Sequence, residues 1–178
     1  MQVRGATAAC VLAIAGILVI SLERHAGATE VSGGLSLGGI VVGTMPRLAV
    51  TPHATLSFRM ESGLLVAVHE MFSILPAGDA HGVGVYSQTS ADLGYAWDSA
   101  NVSLGPSLAL YSMPACVPRA CARVAGLALG GHTQVSLYLS GPFGVSIWGG
   151  IDWLGESGLI RGIVGTIFAG PIVRWRSK

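Results

Sequence analysis

The sequence predicts an all-β fold, an eight-stranded antiparallel up-and-down transmembrane β-barrel behind a cleaved signal peptide. Three observations lead there. From residue 31 onward, apolar and polar residues alternate in eight short segments. Aromatic residues of the apolar parity gather at segment ends. The connections alternate between tight turns and longer loops, with one exception at Met45.

Composition narrows the class before any segment is read. The 178 residues are 51% hydrophobic and only 11% charged, with 26 glycines and a mean hydropathy of +0.63. A soluble domain carries roughly 25% charged residues. The net charge of +1, with Lys178 the only lysine, leaves no basic stripe and excludes nucleic acid as a partner. No stretch after the N-terminal one offers ~20 uninterrupted apolar residues for a spanning helix. The hydrophobicity must be placed another way.

Residues 1–28 read as a targeting segment. Arg4 supplies a positive n-region, Ala6 to Leu22 is an uncharged, almost wholly apolar run, and Ala26-Gly27-Ala28 gives a cleavage site before Thr29. Cys10 precedes most of that run and so does not serve as a lipid-acceptor cysteine. Residues 29–178 then form the barrel domain. Its two cysteines, Cys116 and Cys121, are an even count in an exported chain, which predicts a disulfide stapling an exposed loop. So small a ring removes little chain entropy, about 2 kcal/mol. A redox or metal pair is the alternative.

The clearest segment is Arg47 to Met60. Leu48, Val50, Pro52, Ala54, Leu56, Phe58 and Met60 share one parity, and Thr51, His53, Thr55, Ser57 and Arg59 share the other. Period-two alternation is a strand with one apolar face. Val31–Thr44 precedes it, with Leu35, Leu37 and Val41 outward. Gly63–Leu75 follows with Leu64, Val66, Val68, Phe72 and Ile74 outward. Then come Gly82–Trp97, Asn101–Met113, Arg123–Leu139, Phe143–Leu154 and Ile160–Trp175, the last with the weakest alternation. An even strand number suits a closed barrel.

Tight connections fall around Glu61, Ser99 and Gly141-Pro142; longer ones fall around Gly78, the cysteines and Glu156-Ser157. With the N-terminus periplasmic, the tight turns share the periplasmic side. Phe58, Tyr95, Trp97, Phe143 and Trp175 then form one aromatic girdle, and Phe72 and Trp153 the other. Glu70 is the awkward outward residue, but it lies roughly 20 Å up its strand, near the outer interface. Pro52, Pro106 and Pro171 weigh against a barrel, because each removes an N–H from a strand interior.

At this point the chain resembles the small eight-stranded outer-membrane barrels of the OmpA/OmpX type, over residues 30–178. The resemblance is architectural and rests on strand count, turn asymmetry and aromatic girdles, so no functional residues carry over. It implies a Gram-negative outer membrane, a lipid bilayer and the outer-membrane assembly machinery as partners, and a monomer. That family typically ends on an aromatic residue which the machinery reads; here Trp175 is followed by Arg176-Ser177-Lys178.

An eight-stranded barrel has a lumen that side chains nearly fill, which excludes an open pore. The polar residues of inward parity, His53, Arg59, His69, Gln88, Asp92, His132, Asp152 and Arg174, are expected to form one hydrogen-bonded interior network. If the second hairpin turns at Glu61, positions summing to 122 face each other and His53 pairs with His69, their Cβ atoms about 5 Å apart. A metal site or pH switch is the sharper reading of that pair. A plain polar core is the expectation, since no metal-ligand spacing supports the former.

No catalytic residue, cofactor or metal is assigned, and the expected role is structural or surface-interaction. Asp79, His81, Glu156 and Ser157 share one end and form the weak case for a lipid hydrolase, without a nucleophile motif around Ser157. The other alternative is a secreted soluble β-sandwich or lipocalin-like carrier of an apolar ligand. It would invert the faces, with Leu and Val inward.

Overall fold

A computed structural model describes residues 28–42, 45–76, 82–117, 120–157 and 160–177. Residues 1–27 of the targeting segment and the loop residues Asp79 and His81 lie outside the described residues. Eight strands follow in chain order: β1 (Ala28–Val42), β2 (Met45–Arg59), β3 (Leu64–Leu75), β4 (Gly84–Ala96), β5 (Ala100–Val117), β6 (Ala120–Ser140), β7 (Phe143–Ser157) and β8 (Ile160–Arg176). Each pairs antiparallel with its neighbours, and β1 pairs with β8, so the barrel closes and has no free edge.

The faces sort as period two requires. Leu48 is 81% exposed while Thr51, on the opposite parity of the same strand, is fully buried. Leu37, Leu104, Leu129, Ile151 and Ile167 cover the outside in the same way, and His69, Gln88, Asp92 and Asp152 lie within. A carrier with an apolar lumen and a wet exterior is the inverse of this arrangement. The soluble reading fails on that point.

Three details depart from the sequence-based expectation. The first is register. β2 and β3 pair Thr55 with His69 and His53 with Met71, so facing positions sum to 124. The cause is the turn. Gly63 takes φ +87°, a conformation an L side chain resists. Its N–H bonds Met60 O at 2.9 Å while Met60 N bonds Leu64 O, moving the hairpin centre by one residue. The resulting slip is two positions, so every side chain keeps its face.

The second concerns the cysteines. The β5–β6 ladder runs without interruption to Val117 opposite Ala120, placing Cys116 directly opposite Cys121 in paired strands rather than on a loop. β7 likewise continues to Ser157. The side chains of both cysteines, Glu156 and Ser157 lie outside the described residues.

The third concerns the prolines. The β2–β3 ladder is interrupted between Val50–Ile74 and His53–Met71, at Pro52. The β4–β5 ladder breaks between Ser90–Ser107 and Leu93–Leu104, at Pro106. The β1–β8 ladder breaks between Gly34–Ile172 and Leu37–Ala169, at Pro171. Each proline keeps pairing on its other side, with Leu35, Gly131 and Val145 respectively. At Pro106 and Pro171 the preceding glycine explains the tolerance. A Cβ at Gly105 would overlap the Ala91 carbonyl oxygen, and one at Gly170 the Leu35 oxygen. Those are the carbonyls opposite the missing N–H groups, and a glycine Cα–H can approach them instead. The penalty expected for these two residues is thereby reduced.

Candidate functional site

The lumen is stacked in three layers, read here from the end that carries the tight turns. At that rim β1 contributes Glu30, only 5% exposed. Its carboxylate accepts from Tyr138 Oη at 3.2 Å and from Arg176 Nε and Nη2 at 3.2 and 3.1 Å. Arg174 Nη1 stands 3.6 Å away, and its guanidinium lies over the Tyr138 ring at 3.5 Å. Arg59 pairs with the exposed Asp98 at 3.2 Å. A cleft of about 250 Å³ opens here between Arg59, Glu61, Asp98 and Arg176.

Arg59 and Arg174 therefore belong to this rim and not to one continuous interior network as expected. Long cationic side chains reach for water and counter-charge at a barrel mouth sooner than they enter a dry centre. Glu30 went unnoticed in the sequence. Extending the β1 alternation back from Ser32 would have found it.

The middle layer holds the other polar residues. Asp152 accepts from Tyr86 Oη, from Gln88 Nε2 at 2.7 Å and from Ser107 Oγ at 2.6 Å. Asp92 accepts from Ser103 Oγ at 3.1 Å and His132 Nδ1 at 3.0 Å. The three histidines cluster, with His69 stacked on His132 and His53 tilted against His69. His53 and His69 rings are 5.8 Å apart, and His69 and His132 only 4.6 Å with nearly parallel planes. Trp148 meets all three at 5.4 to 6.1 Å.

Each imidazole is anchored at Nδ1: His53 by Ser36, His69 by Thr55 at 2.7 Å, His132 by Asp92 and Ser90. Their Nε2 atoms are buried without a protein partner among the described residues. His132 comes from a strand across the barrel, and only closure of so narrow a cylinder brings it onto His69. Parallel stacked rings aim their lone pairs side by side, whereas a shared metal needs them to converge. Among the described residues no group of three or more His, Cys, Asp or Glu is placed to hold a metal ion.

Above this, toward the far end, the lumen turns apolar. Ile40, Met71, Leu75, Met113, Val124, Leu154, Val164 and Phe168 form one buried cluster, joined to the middle layer by Trp148, whose ring stacks on Phe168 at 4.4 Å. The large aliphatic members of this cluster were not foreseen, because the inward parity was read as small and polar residues with a few bulky aromatics. Among the described residues, buried side chains occupy the cylinder through the middle and far layers.

On the outside, Tyr95, Trp97, Phe143 and Trp175 are 43 to 62% exposed near the turn end, and Phe72 and Trp153 are 42 and 68% exposed toward the other. Phe58 is the exception. It keeps the outward parity but is only 2% exposed, so it presents no ring to the surroundings. It sits between Thr29 of β1 and Val66 of β3. Parity fixes the direction of a side chain and not how much of it stays accessible.

A closed eight-stranded up-and-down barrel, apolar outside with a packed polar and apolar lumen, is the fold class of small outer-membrane barrels, and solved structures agree. Neisserial surface protein A aligns with a TM-score of 0.56 at 16% identity, over 84% of this chain and 99% of that one. Ail, the attachment invasion locus protein of Yersinia pestis, gives 0.59 at 11% over 84% and 99%. The N-terminal β-barrel domain of Pseudomonas aeruginosa OprF gives 0.55 at 8% over 84% and 98%. No protein-family profile matches the sequence, and no curated protein is significantly similar to it.

Proposed function

We propose that this chain is an outer-membrane protein of a Gram-negative bacterium that works by presenting the far ends of its strands at the cell surface, and not by conducting solutes. The observation that carries this is the exterior: a largely apolar wall with aromatic rings toward both ends, on a barrel most of whose polar side chains within the strands point inward. Water would not select such a wall; acyl chains do. In this reading residues 1–28 direct export and are removed, the tight turns face the periplasm, and the assembly machinery inserts a monomer. Cys116 and Cys121 form a cross-strand disulfide, since directly opposed residues of an antiparallel pair lie within bridging distance.

A surface-interaction role is supported by the solved barrels of similar shape, one called a surface protein and another an attachment invasion locus protein. A structure of the latter holds the heparin analogue sucrose octasulfate. The filled lumen supports the exclusion of a pore. The test is a heat-modifiability gel together with planar-bilayer recording. A detergent-dependent protein whose band shifts on boiling, and which gives no conductance steps, fits the proposal. A freely soluble, unshifted monomer defeats the membrane assignment, and steady conductance defeats the packed-lumen role.

A further inference from the structure

The surface role leaves the three lumenal histidines unused, and their surroundings are unequal. His132 Nδ1 lies 3.0 Å from an Asp92 carboxylate oxygen. His53 and His69 are anchored at Nδ1 by hydroxyls, those of Ser36 and Thr55, with no carboxylate among the described residues. His69 is fully buried, its ring 4.6 Å from that of His132 and 5.8 Å from that of His53. Nε2 of all three lacks a protein partner among the described residues. The other titratable groups buried in the lumen's middle and far layers are Asp92 and Tyr86 on β4, Tyr111 on β5 and Asp152 on β7. Asp152 is held by Tyr86, Gln88 and Ser107, and by no histidine. β1 faces the cluster with Ser36, and β8 reaches it through Phe168 on Trp148.

A polar file joins this cluster to the charged rim. Successive inward positions of β6 are His132, Gln134, Ser136 and Tyr138, all buried. Gln134 Nε2 donates to Ser136 Oγ at 3.2 Å, and Tyr138 Oη donates to Glu30 at 3.2 Å, where Arg174 and Arg176 also gather. On the opposite side the apolar far layer closes the lumen. Protons therefore reach the histidines from the end that carries the tight turns.

We infer that the middle layer is an acid-sensitive lock on the barrel. The closed lumen has room for one imidazolium, beside Asp92, and acid that adds protons to His53 and His69 drives the rings apart. A second charge 4.6 Å from the first meets both repulsion and a buried N–H without an acceptor. Trp148 touches all three rings and Phe168, so their displacement is passed to the far layer. The unfolded chain, by contrast, accepts a proton on every ring near the ordinary value of about 6.5. The folded barrel then binds fewer protons than the unfolded one. Its stability is full above that value and falls as the pH drops through it.

The test is urea unfolding in phosphatidylcholine vesicles between pH 7.5 and about 5.5, a window above the ordinary carboxylate range. For wild type, two rings that charge only on unfolding should raise the unfolding constant about 100-fold across it. His69→Phe keeps an aromatic ring in the stack but takes no proton, and should cut that rise to about tenfold or less. His69→Gln, smaller and also without charge, should do the same and stands in if the phenylalanine is not accommodated. His81→Gln, in the β3–β4 connection, should keep the full rise. The readout is the pH dependence and not the stability at one pH, so a merely structural role for His69 would not move it. A wild type whose unfolding constant is flat across the window overturns the inference. So does a rise that both His69 variants retain in full, which would assign the acid response to other groups. A protein that needs no detergent overturns the membrane assignment alone, and the same variants then decide the lock in buffer.

Discussion

The middle and far layers of the lumen occupy one cylinder and are equally buried, yet they are held by different physics. The middle layer is directional. Asp152 collects three donors and Asp92 two, and each histidine is anchored at a named nitrogen. The far layer is packed from Ile40, Leu75, Met113, Val124, Leu154 and Val164 with little direction at all. A hydrogen-bonded layer specifies which strands sit opposite each other, because a wrong pairing strands donors in a dry interior. A packed layer tolerates exchange of shape so long as volume is kept. The first fixes the arrangement, and the second seals it.

The seam between them gives the largest expected effect. Trp148 is 1% exposed and touches the histidines on one side and Phe168 on the other. Trp148→Ala should cost about 4 kcal/mol in urea unfolding from lipid vesicles. A loss under about 1 kcal/mol would mean the layers are not joined there. Asp152→Asn comes next, at about 3 kcal/mol, because an amide presents its own N–H groups to Tyr86, Gln88 and Ser107, which already donate.

The far layer answers differently. Leu154→Met should cost under about 1.5 kcal/mol, and Leu154→Ala about 3 kcal/mol. If Leu154→Met proved as damaging as Asp152→Asn, the contrast between the layers would be wrong. A wall residue supplies the baseline. Leu48→Ala removes a side chain that is 81% exposed and should change stability by less than about 0.5 kcal/mol.

The proline breaks make a smaller, separate test. Gly105→Ala places a methyl against the Ala91 carbonyl and should destabilise by about 2 kcal/mol, whereas a Cβ at Gly165 meets nothing within 4 Å. Gly165→Ala should leave the unfolding midpoint unchanged or slightly raised. Equal effects at the two glycines would show that the close approach beside Pro106 is not what makes the proline tolerable.

Much of the barrel was legible from the residues alone. The eight alternating segments mark the eight strands, and the parity of Leu48 against Thr51 gives inside and outside, because side-chain direction along a strand is a local, period-two property. Even an error of two in the β2–β3 register left each side chain on its face. Outward aromatics were legible for the same reason, with Phe58, only 2% exposed, the exception.

Contacts across the cylinder were decided elsewhere. The ring of His132 on His69, Tyr86 on Asp152 and Tyr138 on Glu30 join residues far apart in the chain, and closure together with strand stagger sets which heights coincide. The division of the lumen into a charged rim, a polar middle and an apolar far layer has the same origin. A sequence of alternating residues states which side of the wall each one takes, but only the closed tertiary structure states what stands across from it.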